Sequence, residues 1–257
     1  KSIIAGVGCY YFISEFGYSN KSKIIAAYIY AFSGYMIGAG QHYQFATAPV
    51  FLIFVLFFIE KSFKNKNFIF ALVGTITLTS CMSTFFVFHI IVFSGVYIII
   101  RSFQIIDKLS LLGIIRKIIP LICSLILGIM LSGIIFLPAI YQIVEISGRT
   151  DSNVSIITRI ISAFGLISKN DFKMSFLRFF SENLQGTVNS WKGGQFHFSA
   201  PHYFFSIILV LCIPQYIINC FSKGSLKEKI IKAIVIYRMY LQLQIGDLHI
   251  FYYLYSV

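Results

Sequence analysis

The chain has 257 residues, of which 58% are hydrophobic and 12% charged, with 21 Lys and Arg against 9 Asp and Glu and a formal net charge of +12. Ordinary soluble domains carry about 25% charged residues, so this composition, with a mean hydropathy of +0.82, excludes a soluble globular class. The basic residues sit at the ends of apolar runs, where they meet anionic headgroups, and this argues against a nucleic-acid-binding surface.

Apolar runs recur about seven times, and each reads as a membrane helix. In chain order they are Ser2–Gly17, Ile24–Gly40, Ala46–Ile59, Asn67–Thr79, Thr84–Ile100, Ile118–Leu137 and Phe204–Cys220. Lys21 and Lys23, then Lys61, Lys64 and Lys66, then Arg101, Lys108, Arg116 and Lys117, then Lys223, Lys227, Lys229 and Lys232 fall on one side. The links Gln41–Phe45 and Ser80–Ser83 on the other side contain no Lys or Arg. The positive-inside rule makes the Lys-rich side cytoplasmic. The stretch from Asn67 to Ile100 would rise roughly 51 Å as one helix against a hydrocarbon core of about 30 Å, so two short helices turning near Ser80–Ser83 are expected.

The expected fold class is all-α and polytopic. Residues 1–137 form a membrane region of about six spans, 138–203 an extracytoplasmic loop cap, and 204–257 a further membrane helix with a poorly defined tail. Pro138 disfavours helix continuation at Leu137 and opens the loop. In the tail, Arg238, Gln242, Gln244, Asp247 and His249 interrupt what would be another span. The five cysteines, Cys9, Cys81, Cys123, Cys212 and Cys220, are scattered through apolar sequence and read as small packing or lipid-facing residues. The chain opens on Lys1, with an apolar run starting one residue later, which suggests an internal piece of a longer protein or a mis-started reading frame.

Chemistry at the outer face needs a base for an acceptor hydroxyl and donors for a lipid phosphate. Arg149 and Asp151 follow a helix exit at the expected membrane surface. Arg149 could grip a phosphate through its planar fork, or anchor to headgroups with a solvated Asp151 beside it. His42 and Gln44, with Gln41, occupy an uncharged outer link, where they either orient a sugar hydroxyl or form a polar turn. Trp191 and His202, with His197, lie in an aromatic outer patch that suits a sugar face or a membrane interface. His197 and His202 lack a third ligand at suitable spacing, so neither a metal nor another cofactor is expected. His89 falls within a span, facing a cavity or hydrogen-bonded to a neighbouring helix.

Four stretches carry a family likeness. They are Gly6 to Phe12 followed by Ala26 to Met36; Gln41 to Phe45 leading to Ala48 to Leu52 and the Glu60-Lys61 exit; Phe136 to Tyr141 with Ser147 to Arg149; and Asn189 with Pro201 to Phe205. Over roughly residues 1–220 the order of these features resembles the YfhO-like bacterial membrane proteins, which belong with the GT-C glycosyltransferases. The resemblance implies transfer of a sugar from a polyprenyl-phosphate carrier to a cell-envelope polymer such as a teichoic acid, at the outer face of the cytoplasmic membrane. It also implies a catalytic carboxylate in a first outer loop that precedes these residues, so that this piece alone would be inactive. The implied partners are the lipid bilayer, the lipid-linked sugar and the polymer acceptor. A transporter or flippase, which would need polar groups near the bilayer midplane such as His89 or Gly74, Thr75, Thr77 and Thr79, and a non-catalytic membrane scaffold are the alternatives.

Overall fold

A computed structural model describes residues 1–38, 43–82, 86–105 and 111–141, together with the single residues 177, 214 and 218. The chain divides into two compact units, Lys1–Ile140 and Tyr141–Val257. Nearly all described residues belong to the first, so the expected loop cap and C-terminal membrane helix lie almost wholly outside them. The regular elements described are all helical, in agreement with the all-α expectation.

Helix α1 (Ser2–Ser14) ends where Ser14 Oγ donates to the Tyr10 carbonyl and Gly17 turns the chain at φ +73°. Only glycine takes that left-handed conformation without steric cost. Helix α2 (Asn20–Ala31) starts on Ser19, whose hydroxyl accepts from the Ser22 N–H at 3.3 Å and satisfies one orphan donor of the first turn. The expected span Ile24–Gly40 is then interrupted. Ser33 accepts the Met36 N–H at 3.4 Å and opens a separate short helix, α3 (Gly34–Gly38). A hydroxyl that can cap, followed by the poor helix former Gly34, favours a fresh start over continuation.

Helix α4 (Tyr43–Lys64) runs 22 residues through Pro49, roughly 33 Å. A short 3-10 turn at Lys66–Phe68 leads to α5 (Ile69–Met82), followed by α6 (Val87–Ile105). The described helices thus break between Met82 and Val87, where charge and length place the turn. Helix α7 (Leu111–Leu131) is followed by α8 (Gly133–Tyr141), bent from it by 74°. Here the structure corrects the sequence. The run Ile118–Leu137 breaks at Ser132, and Pro138 lies inside α8 instead of ending a helix. Starting a new helix at Gly133 lets the chain absorb the proline for one lost backbone bond.

Among the described residues one helix, Ala46–Lys64, is long and apolar enough to cross a membrane alone. The α7–α8 pair qualifies only as a bent span, and Ser2–Ser14, Ile69–Met82 and His89–Ser102 are apolar but shorter.

Helices α4 to α7 enclose the main core, built on Val55, Ile59, Leu72, Ile76, Ile98 and Leu121, all essentially inaccessible. A smaller cluster of Ala5, Met36 and Val50 joins α1, α3 and α4. Small residues set the close approaches. A Cβ on Gly6 would meet Ala31 and the Ala27 carbonyl, placing α1 antiparallel to α2, and one on Gly8 would meet Ile53 and Phe54 of α4. A Cβ on Gly128 of α7 would lie 2.6 Å from Ile76 Cβ of α5. Beside it, Thr77 Oγ1 donates to the Gly128 carbonyl at 3.1 Å.

Candidate functional site

The residues expected to face substrate fall outside the described part of the chain. His42, Arg149, Asp151, Trp191 and His202 lie outside the described residues altogether. Gln44 belongs to the first turn of α4, its side chain undescribed. His89 is half-buried on α6, its ring 6.2 Å from that of Phe86. The α5 hydroxyls bond back to their own helix: Thr75 donates to Ala71, Thr77 to Val73 (its proton shared with the Gly128 carbonyl of α7), Thr79 to Thr75 and Ser80 to Ile76, each through the carbonyl four residues back. Such back-bonding satisfies a hydroxyl in an apolar setting and leaves little of it for a ligand.

The ionised constellation that is described gathers Lys61, Lys64, Arg101, Glu15 and Glu60. Glu60, on the last turn of α4, is 1% exposed. Its Oε1 accepts from the Tyr97 hydroxyl and, at 2.8 Å, from Arg101 Nε, both on α6. The Arg101 guanidinium in turn sits over the Phe16 ring, 5.1 Å from its centroid, in the turn after α1. Glu15 in that turn meets Lys61 Nζ at 2.8 Å and Lys64 Nζ at 2.7 Å, and Lys64 also donates to the Glu15 carbonyl. The C-terminal ends of α1, α4 and α6 are thereby tied together by two carboxylates, three cations and a phenol. With its oxygen engaged by a guanidinium and a phenol, Glu60 is placed to neutralise Arg101 and join helices, not to abstract a proton.

The sequence offers Glu60 only as part of a basic helix exit. Its neighbour Lys61 and the nearby Lys64 both look like its natural partners, yet they turn to Glu15, and Glu60 finds Arg101 forty-one positions on. No local spacing signals that choice.

The Glu15 strap makes acid sensitivity testable. Burial opposes charge on Glu15, but hydrogen bonds and charge from Lys61 and Lys64 outweigh it and hold the carboxyl below the usual carboxylate range. A depressed value means the strap's stabilisation is complete above about pH 4.3, the unfolded value, and fades as pH falls through the folded one. Glu15→Gln is expected to lower stability by about 1 kcal/mol at neutral pH, the lysines being partly solvent-screened. Melts of the purified protein should show that deficit vanishing in the acid range. A deficit of equal size at both pH values would rule the strap out as its source.

Comparison of the chain with family models, with curated proteins and with solved structures finds no match.

Proposed function

We propose that these residues belong to a polytopic integral-membrane glycosyltransferase of the GT-C kind, resembling the YfhO-like proteins. It uses a polyprenyl-phosphate-linked sugar at the outer face of a bacterial cytoplasmic membrane. The observation that supports this reading is sidedness. Three helix ends and their Lys and Arg residues gather at one end of the described unit, in the order that positive-inside bookkeeping requires. Elsewhere on the unit, large apolar side chains face outward, with Ile134 at 90%, Phe70 at 83% and Ile3 at 80% exposure. Water penalises such a surface and acyl chains do not. In a bilayer the shorter helices α1 and α5 cross by local thinning and by lysines reaching to the interface.

With the Lys-rich ends inside, the uncharged links and the loop after α8, residues 142–203, are outside, and Arg149 stands at the outer surface. It holds the lipid phosphate, Asp151 orients it, His42 and Gln44 contact sugar hydroxyls, and Trp191 with His202 stacks on the sugar. The α5 hydroxyls, engaged with their own backbone, lend a midplane transport site no support.

Membranes containing the full chain should be labelled saturably by a photoactivatable polyprenyl-phosphate sugar. Arg149→Ala should weaken that labelling roughly tenfold or more, the worth of charge-assisted hydrogen bonds. Arg149→Lys should recover only part of it, since a point charge lacks the fork. Labelling that does not saturate, or that ignores Arg149, sinks the reading.

A further inference from the structure

We propose that α8 is an in-plane helix buried in the outer leaflet, with lipid acyl chains as the partner of its exposed face. The inference rests on the membrane reading above and adds to it a lipid-binding surface.

Depth comes first. Arg116 and Lys117 mark the inner boundary of α7, and Ile118–Leu131 rises roughly 21 Å from there, about 9 Å short of the outer edge of a 30 Å core. A straight continuation over the nine residues of α8 would climb roughly 13 Å and reach water. Bent by 74° from an α7 that runs along the membrane normal, α8 climbs only about 4 Å and stays within the leaflet.

The corner is built for a dry setting. The Ser132 N–H bonds the Gly128 and Ile129 carbonyls at 3.3 and 3.1 Å, and its hydroxyl donates to Ile129 at 2.7 Å. The Ser132 carbonyl accepts from the Ile135 and Phe136 N–H groups, both at 2.9 Å. Each unmatched backbone group inside hydrocarbon costs several kcal/mol, and at this bend Ser132 has its N–H, carbonyl and hydroxyl all engaged.

The surface comes last. Ile134, Ile135, Leu137, Pro138 and Tyr141 are exposed, while Gly133, Phe136 and Ala139 are half-buried. At about 100° per residue the exposed set forms one continuous face roughly 160° wide. It is apolar throughout except for the Tyr141 hydroxyl, which suits an aromatic anchor rising to the headgroups. A peptide-binding face would be expected to carry polar groups fixing register, and this one has none.

The test is a depth profile in vesicles of phosphatidylethanolamine and phosphatidylglycerol. In a background lacking the other cysteines, a fluorophore is placed on native Cys123, exposed midway along α7, or on a cysteine replacing Ile134, Leu137 or Tyr141. Lipids carrying a quencher near the headgroup or deep in the chain are then compared. The expected result is lipid quenching at position 123 and comparable, nearly equal quenching at 134, 137 and 141, since 123 and 134 lie at similar distances from the bilayer centre on opposite sides of it. A steady gradient from 134 to 141 that ends in water overturns the in-plane helix. Absence of lipid quenching at all three α8 positions, with Cys123 still quenched, assigns the face to protein and overturns this inference alone. If Cys123 too is unquenched, the membrane reading fails with it.

Discussion

Glu60→Ala is expected to lower the stability of the described bundle by about 3–5 kcal/mol, the usual cost of removing one member of a buried ion pair. The loss has two parts. Arg101 keeps its place above Phe16 but loses the carboxylate that neutralises it, and the half-buried Tyr97 loses its acceptor. Both groups sit on α6, so the damage concentrates at the α4–α6 contact. Glu60→Gln keeps the volume and one acceptor oxygen and should fall between alanine and the wild type. Replacing both Glu60 and Arg101 by Met removes the uncompensated charge and should recover much of the deficit, because apolar substitutes of similar volume often equal a buried pair. Thermal unfolding of the four proteins in one detergent would decide. A single alanine variant within about 0.5 kcal/mol of wild type, the range of ordinary surface substitutions, would show that the network joins nothing of consequence.

The second large effect is expected at Gly128. Its missing Cβ leaves room for Ile76 Cβ and Cγ2, both 2.6 Å from where a Cβ would stand, and for the Val73 carbonyl at 3.0 Å. These atoms are a branch point and backbone, neither of which can swing aside. Gly128→Ala must therefore push α5 from α7 and strain the Thr77 bond to the Gly128 carbonyl, at about 1–3 kcal/mol for overpacking. Gly128→Leu should exceed that range or prevent folding. Ile76→Gly clears the obstructing Cβ, so the double variant Gly128→Ala/Ile76→Gly should be less destabilised than the sum of its parts, a coupling that a double-mutant cycle reads directly. Additive losses would mean that the two helices do not meet at this point. Gly8 offers a graded contrast. There a Cβ meets the Ile53 Cγ2 methyl at 2.7 Å and the Phe54 ring edge at 3.1 Å but no Cβ branch point or backbone atom, so Gly8→Ala should cost less.

Helix content among the described residues was legible in the sequence, whose long, nearly uncharged apolar runs separated by basic links read as helices. That α5 and α6 are separate helices was legible too, from the length of the apolar stretch they share and the uncharged Ser80–Ser83 link expected to divide it. The breaks at Ser33 and Ser132 were not. A serine in an apolar run is compatible with a helix, and neighbouring packing decides whether it bonds back or opens a new turn. Pro138 misled for the same reason: a proline's effect depends on where its helix begins, and α8 begins later than the apolar run does. Of the site expected at the outer face, only Gln44 is reached by the described residues, and only in its backbone.

What the sequence by itself determined is therefore class: an apolar chain, helical throughout its described elements, with its cations set at the ends of its apolar runs. What tertiary structure alone decided is partnership. Glu60 lies beside Lys61 in the chain and pairs with Arg101, and Gly128 becomes a crossing point only because Ile76 arrives opposite it. Pairings between helices depend on relative rotation and height, which close packing sets and which no local pattern encodes.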